Sequence, residues 1–569
     1  MSVTLCERKL IAVFPSSSWR SESVLLASLQ ELFPVDFVPE SETSLDQADA
    51  ALCFPGEDNR AKQAFERGVS SFLFGSAAPS GDTRSASSVW LSNHSCLHPA
   101  FRNDQVPGGG ASAATGLAAA DQDCILASQR SRPLWIVRSG GQAELHTTAL
   151  GPPRLGQKEL LWSWLQPENW MALVPLLHFL RRITAESGWR LPEQHACFIF
   201  DDPNLHSPRY GFIDFAELAE HAVAHDYSVA VATVPMDAGY AAPDAVQLFH
   251  KHQRHLSLLI HGNNHVRNEL SRDYAGEEAL QVLAQALTRT ARLERITGLR
   301  VSRVVVAPHS ACTESVMGQM LRLPLEGACI SVPALLHWNP LTSWPLSFGL
   351  LPVSFMAGSF PVIDRFRFRN GLFRARLAAL LGQPIIPYGH HQDCAEGLGP
   401  LAEIADAVNS WGRTNWTDLE SILGAYYRTR RDGSLLHVEM WSRRVRVSIP
   451  PDVSHLAVHA APGVECGGLV EVTADQNFAG AQACALEIPF RVAPSTMIEV
   501  RFASAGLIEP SGVAQPGYQL WPPVRRRLAI GRDRLMPVLG RFRRSTGDGF
   551  AVSAHLKTAR QADVLSRKT

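Results

Sequence analysis

The sequence predicts an α/β protein: a central β/α barrel, a flavodoxin-like α/β unit before it and a small all-β unit after it. Three observations predict this. Between residues 194 and 432, short apolar runs of the kind buried in parallel sheets alternate with helical stripes. Between 9 and 75 the same β-α-β alternation recurs on a smaller scale. After Gly433 the helical stripes stop, and short alternating segments follow at sandwich-like spacing. A chain of 569 residues has room for several domains at roughly 100–200 residues each. The expected division is 1–150 for the flavodoxin-like unit with its hairpin and 151–193 for a connecting helical segment. The barrel follows at 194–432, the all-β unit at 433–510 and a basic tail at 511–569.

In the first unit, Leu10 to Phe14, Val35 to Val38, Ala50 to Phe54 and Ser70 to Phe74 are the strand candidates. Ser21 to Phe33 and Arg60 to Arg67 are the helices between them. The dinucleotide glycine fingerprint is missing; Pro15-Ser16-Ser17-Ser18 follows the first strand and reads as a helix cap. Gly108 to Gly116 has the composition of a flexible connector. Leu134 to Val137 and Ala143 to Thr148 flank Gly140-Gly141 as a hairpin. A helix is expected from about Lys158 to Glu186, broken near Pro167 or Pro175.

In the barrel region seven strands are expected, at 196–200, 228–234, 256–260, 303–307, 328–332, 350–355 and 384–388. Asp214 to His225 and Glu277 to Ile296 are the clearest helices, the second ending at Gly298. The all-β strands are expected at 435–441, 445–449, 455–459, 469–472, 486–492 and 497–502.

Composition excludes several classes. A formal net charge of −1 gives no reason to expect a nucleic-acid partner, although Trp521 to Thr569 carries twelve Lys/Arg against three Asp/Glu. That basic end reads as a solvated, partly disordered terminus. Ten cysteines without a Cys-x-x-Cys pair argue for reduced, structural thiols. No run approaches the roughly 18 apolar residues of a transmembrane segment, and Met1 to Phe14 lacks a signal-peptide core. A cytoplasmic location is the default expectation; the oligomeric state is not legible.

In parallel α/β folds the chemistry sits beyond the C-terminal ends of the strands. Four strand ends carry polar groups: Asp201-Asp202, His261-Gly262-Asn263-Asn264-His265, Pro308-His309-Ser310, and His390-His391-Gln392-Asp393. Two imidazoles and one carboxylate suit a divalent metal with open positions. His261 and His265 at i, i+4 would converge if they shared one helical turn, and Gly262 permits a sharp turn out of the strand. His206 and Arg209 are near enough in sequence to line the same mouth. Trp338, Trp344 and Phe355 are candidate sugar-stacking or packing aromatics.

Paired aspartates after an apolar strand, followed by His-x-x-x-His, resemble the first two motifs of the polysaccharide deacetylase family (carbohydrate esterase family 4). The likeness spans roughly residues 194–395. It implies a distorted seven-stranded barrel and a metal-dependent hydrolase acting on an N-acylated amino sugar. It makes Asp202, His261 and His265 the metal ligands and Asp201 the general base. The general acid falls on His390 or His391. A divalent metal, zinc foremost, is the implied cofactor, and a carbohydrate the implied partner. Pro308-His309 stands where the family's third motif reads Arg-x-Pro-Tyr, and so is the candidate for holding the oxyanion and substrate. Asp364-Arg365 is the nearest counterpart of the fourth. Two other readings fit the same residues: a glycoside hydrolase using opposed carboxylates such as Asp201 and Asp393, or a degraded barrel that only binds carbohydrate.

Overall fold

The computed structural model describes residues 8–545 except 44, 79–87, 112–113, 186–187, 462–468, 475–476, 484–488, 504–505 and 518. Part of the strand expected at 486–492 and the tail beyond 545 lie outside the described residues.

The central sheet is built from runs that are apolar on both faces. In Phe198–Asp201, every residue is buried. Phe198 and Phe200 join the large core beneath the surrounding helices, while Cys197 and Ile199 join a second core on the opposite face. Val229–Thr233 and Leu256–His261 divide the same way, Val231 and Ile260 to one side, Ala232 and Leu259 to the other. Such period-2 burial on both faces is what a covered parallel sheet demands.

The sheet has nine strands rather than seven. Phe198–Asp201 lies between Val229–Thr233 and Pro387–Gly389, parallel to both. Beyond Val229–Thr233 come Leu256–His261, Val301–Val306, Gly327–Cys329 and Phe360–Ile363, all parallel. Ser354–Met356 pairs antiparallel at one edge, and Phe366–Arg367 forms the other. The sheet is curled but its edges do not meet. Leu419, Ile422 and Leu423 of helix Leu419–Ala425 fill its second face, together with Tyr426 and Trp441. That filling does the work that closure would do in a complete barrel. The run expected at 328–332 stops at Cys329 because Val332–Trp338 is helical, with Pro333 in its first turn.

The N-terminal sheet also has nine strands. Val35–Pro39, Lys9–Phe14, Ala50–Cys53, Ser70–Leu73 and Ala143–Thr148 are parallel. Arg132–Gly140, Asp123–Gln129, Ser88–Leu91 and Asp104–Pro107 extend it antiparallel. The expected hairpin is therefore the join between the two halves of one sheet. In the segment expected as a flexible connector, whose residues 112–113 lie outside the described ones, Ala111 and Ala114 are buried, and a Cβ on Gly108 would sit 1.9 Å from the Pro167 carbonyl oxygen. The expected long helix is two short turns, Leu161–Trp164 and Trp170–Ala172, followed by Val174–Ile183. Pro175 starts that last helix instead of breaking it. Ser16–Ser21 follows Pro15 without a side-chain cap.

Helix Phe215–Ala224 begins where Asp214 accepts from the N–H groups of Ala216 and Glu217. Helix Glu278–Thr297 ends on Gly298 at φ +70°. At the C-terminal side two four-stranded sheets enclose their own core, including Val438, Val447, Val472 and Val500. Its first strand, Tyr427–Asp432, lies before the boundary expected at 433, which falls in the hairpin turn to Leu435–Met440. Helix Trp521–Ser545 then returns to the central sheet. Among the described residues no disulfide forms, and no helix is long and apolar enough to cross a membrane.

Candidate metal centre

The strand ends converge. Asp202 leaves its strand at φ +86°, a left-handed conformation that side chains rarely adopt. Its N–H still bonds the Ala232 carbonyl at 3.2 Å, so the kink is held by the neighbouring strand. Consecutive residues in a straight strand would point to opposite faces; the kink lets Asp201 and Asp202 serve one site.

His261 ends its strand, fully buried. Its Nδ1 donates to the Val306 carbonyl at 3.0 Å, which leaves the Nε2 lone pair free. The chain then turns at Gly262, φ +61°, where a Cβ would lie 2.5 Å from Pro308 Cγ. No helical turn follows. Instead Glu269, buried, accepts from the N–H groups of Asn263 (2.9 Å), Asn264 (2.7 Å) and His265 (3.2 Å). His265 itself sits at φ +54°. The two imidazoles thus meet, with ring centroids 4.9 Å apart, through a carboxylate-wrapped loop and not through helical periodicity.

Asp202 Oδ1 lies 2.8 Å from His265 Nε2 and 3.6 Å from His261 Nε2. It is buried, and no properly directed hydrogen bond reaches it. Ligand atoms of all three residues fall within 4.8 Å of one another. An orphaned carboxylate oxygen facing two imidazole nitrogens is the donor set of a divalent cation, and these residues fit one. Burial disfavours the Asp202 carboxylate, but His265 and His261 outweigh it and hold it well below the ordinary range. Burial pushes His261 down to about 3, so it is a neutral ligand near neutral pH.

Asp201, beside this set, is neutralised separately. Arg365 Nη1 donates to both its carboxylate oxygens, at 2.9 and 3.0 Å, and both residues are buried. Burial would raise the Asp201 carboxyl; Arg365, then His261 and His390, pull it below the usual value. Arg365 also stacks 4.0 Å from the Tyr388 ring and donates to Ser310 Oγ at 3.0 Å. Of Asp364-Arg365, only the arginine reaches the site. Asp364 pairs instead with Arg374 and the Val332 N–H.

The structure separates the two late histidines. His390 Nε2 is 4.0 Å from Asp202 Oδ2, and its side chain is 33% exposed. Arg367 donates to its Nδ1 at 3.1 Å, which places the neutral ring's proton on Nε2. His391 is buried against Tyr210 and Phe212 and turns its Nε2 toward Asp533, 3.6 Å away. Pro308 is buried beneath Gly262; His309 is exposed, with its ring 5.0 Å from that of His265. Asp393 is spent elsewhere: it accepts the His390 N–H at 2.9 Å and pairs with Arg367 and Arg369. His206 bonds the Asp237 carbonyl at 2.9 Å, and Arg209 pairs with Asp214 on the surface. Trp344 packs on Phe348 and Phe355 on the inner core, so these aromatics serve packing.

Residues from the far end of the chain complete the site. Arg526, buried, donates to the Asp202 carbonyl at 2.8 Å and to Asp237 Oδ2 at 2.6 Å. Arg525 donates to the His265 carbonyl. Asp533 accepts from Tyr210 Oη at 2.9 Å. The basic segment expected to be solvated is therefore, over these positions, a helix docked on the site. Apolar residues at helical spacing, Trp521, Val524, Leu528 and Leu535, were a signal for the helix, but they face outward, and no local pattern marked Arg526 and Asp533 as its docked side.

No family model matches the chain, and no curated protein matches it. The chain resembles polysaccharide deacetylases among solved structures. The carbohydrate deacetylase Agd3 is 9% identical over 88% of this chain and 99% of that one, with a TM-score of 0.47. A polysaccharide deacetylase from Bacillus cereus is 14% identical, covering 40% of this chain and 93% of its own, with a TM-score of 0.24. A family 4 carbohydrate esterase from Streptomyces lividans is 9% identical, covering 39% and 88%, also with a TM-score of 0.24.

Proposed function

We propose that the chain is a metal-dependent hydrolase that removes an acyl group from an N-acylated amino sugar. The observation that carries this reading is Asp202 Oδ1, a buried acceptor without a donor that faces two imidazole nitrogens. Asp202, His261 and His265 would hold the ion. A divalent cation there supplies Lewis acidity toward an amide carbonyl and lowers the pKa of water.

The chain's own groups divide the remaining work. Asp201 is kept ionised by Arg365 and accepts the proton of the attacking water. His390 presents an N–H at Nε2 and hands a proton to the departing nitrogen. The backbone N–H of His309 is the candidate donor to the developing oxyanion. His309 and the edge of His390 are the exposed parts of the site, so substrate enters past them. The amino-sugar assignment rests on the motif resemblance around Asp201-Asp202 and His261-x-x-x-His265.

The glycoside hydrolase reading loses its second carboxylate, because Asp393 caps the His390 turn and is paired with two arginines. Acetate release from N-acetylated amino-sugar oligomers, measured for the wild type, the chelator-treated wild type and Asp202→Ala, tests the proposal. Loss of release in the last two supports it. Equal release from all three overturns it.

A further inference from the structure

Helix Trp521–Ser545 departs from an ordinary surface helix, which turns charge to water and apolar residues to the core: its buried side mixes Pro522 and Ile530 with Arg526 and Asp533, and its outward side carries a large apolar stripe. Its inward side carries Arg526 and Asp533, both buried among Asp202, Asp237 and Tyr210. Its outward side carries Trp521, Val524, Leu528 and Leu535, exposed by 65, 48, 65 and 59%. With 3.6 residues per turn these four fall in a sector of about 60°, opposite Arg526. Arg532, which also pairs with Asp533, borders the stripe on one side, where Arg525 is turned inward to the His265 carbonyl; Arg527 and Arg534 border it on the other. Leu520, 74% exposed, extends it. Five of the sixteen exposed large apolar side chains among the described residues lie in this one short stretch, so it is a patch and not scatter.

We propose that this outer face binds an anionic lipid surface. The apolar stripe would enter the boundary between headgroups and acyl chains, and the exposed arginines on its flanks, Arg532 on one side and Arg527 and Arg534 on the other, would meet lipid phosphates. Both features are needed to choose this occupant. A soluble polyanion is bound by cations without an apolar stripe. A second copy docking through the same face would bring the flanking arginines of two helices together, which like-charge repulsion opposes. A convex stripe with cations on both flanks and a tryptophan at its end matches a bilayer interface. The inner side of the same helix holds the Asp202 and His265 carbonyls, so docking would set the proposed metal centre beside the membrane. The inference does not depend on what that centre hydrolyses.

The test is flotation of the full chain with phosphatidylcholine vesicles, with or without about 30% phosphatidylglycerol. The wild type is expected to float with the anionic vesicles only, and less so as salt rises. Trp521→Ser/Leu528→Ser and, separately, Arg527→Glu/Arg534→Glu are each expected to lower the bound fraction about tenfold. These four side chains point away from the site, so melting temperature should match the wild type. Leu535→Ser serves as a milder second probe should either double variant fail to fold. Three results would overturn the proposal: no flotation of the wild type with anionic vesicles, equal flotation of wild type and folded variants, or an oligonucleotide or a second copy engaging this face without vesicle binding.

Discussion

Two groups of potential metal ligands occur among the described residues, and they differ in one respect. Asp202, His261 and His265 leave a buried carboxylate oxygen with no donor. Cys96, Glu144 and His146 are packed as closely but are satisfied. Arg182 donates to both Glu144 oxygens, and the Cys96 thiol donates to one at 3.5 Å. Trp135 donates to His146 Nδ1 at 3.3 Å, which fixes the proton on Nε2, and that N–H donates to Glu144 at 3.1 Å. The same residue types thus make an internal ion-pair network in the N-terminal sheet and, in the proposed reading, a cation site in the central one. Composition and proximity do not distinguish them. The direction of each hydrogen bond does.

Substitutions can break or sharpen that contrast. The largest expected effect is His261→Ala, which should bring hydrolysis to the uncatalysed background in an acetate-release assay. His146→Phe, in the satisfied group, should leave the rate unchanged in whatever fraction folds. Asp201→Asn should retain metal yet slow turnover by about 10²- to 10⁴-fold, the usual worth of a general base. A rate within threefold of wild type would remove Asp201 from that role. Glu269→Ala should weaken metal affinity by about 10- to 100-fold, because the His265 loop loses the carboxylate that wraps it. Equilibrium dialysis measures this.

The smallest effect is on stability. Burial raises the Glu144 carboxyl, but hydrogen bonds from His146 and Arg182 dominate and bring it down to about 2. Its folded value lies below its unfolded value near 4.5, so its contribution is complete above pH 4.5. That contribution is lost as pH falls from there toward 2. Glu144→Gln should remove this part of the acid sensitivity, seen as a flatter melting-temperature profile between pH 5 and about 3. An unchanged profile would mean that the network contributes little.

Much of this was legible in the sequence where a local rule sufficed. Apolar runs located the central strands, and polar residues at their ends located Asp201, Asp202, His261 and His265. Gly262 and Gly298 marked a turn and a helix end that both adopt positive φ. What failed to show was long-range. Arg365 arrives 164 residues after its partner Asp201, and Arg526 stands 324 residues after Asp202; no periodicity links such pairs. The route by which His261 and His265 meet was misjudged as helical. The i, i+4 spacing that suggests a helix is also reached by a loop gathered around Glu269. Sheet closure was equally illegible, since the choice between seven strands in a barrel and nine in an open curl depends on Leu419, Ile422 and Leu423 packing inside it.

The claim that Asp202, His261 and His265 form a cation site is tested most directly by divalent-metal stoichiometry of the purified full chain. Wild type, Asp202→Ala and Cys96→Ser would be compared after incubation with zinc and removal of the excess. About one equivalent is expected in the wild type and in Cys96→Ser, and none in Asp202→Ala. Metal retained by a folded Asp202→Ala, or lost in a folded Cys96→Ser, would contradict the assignment.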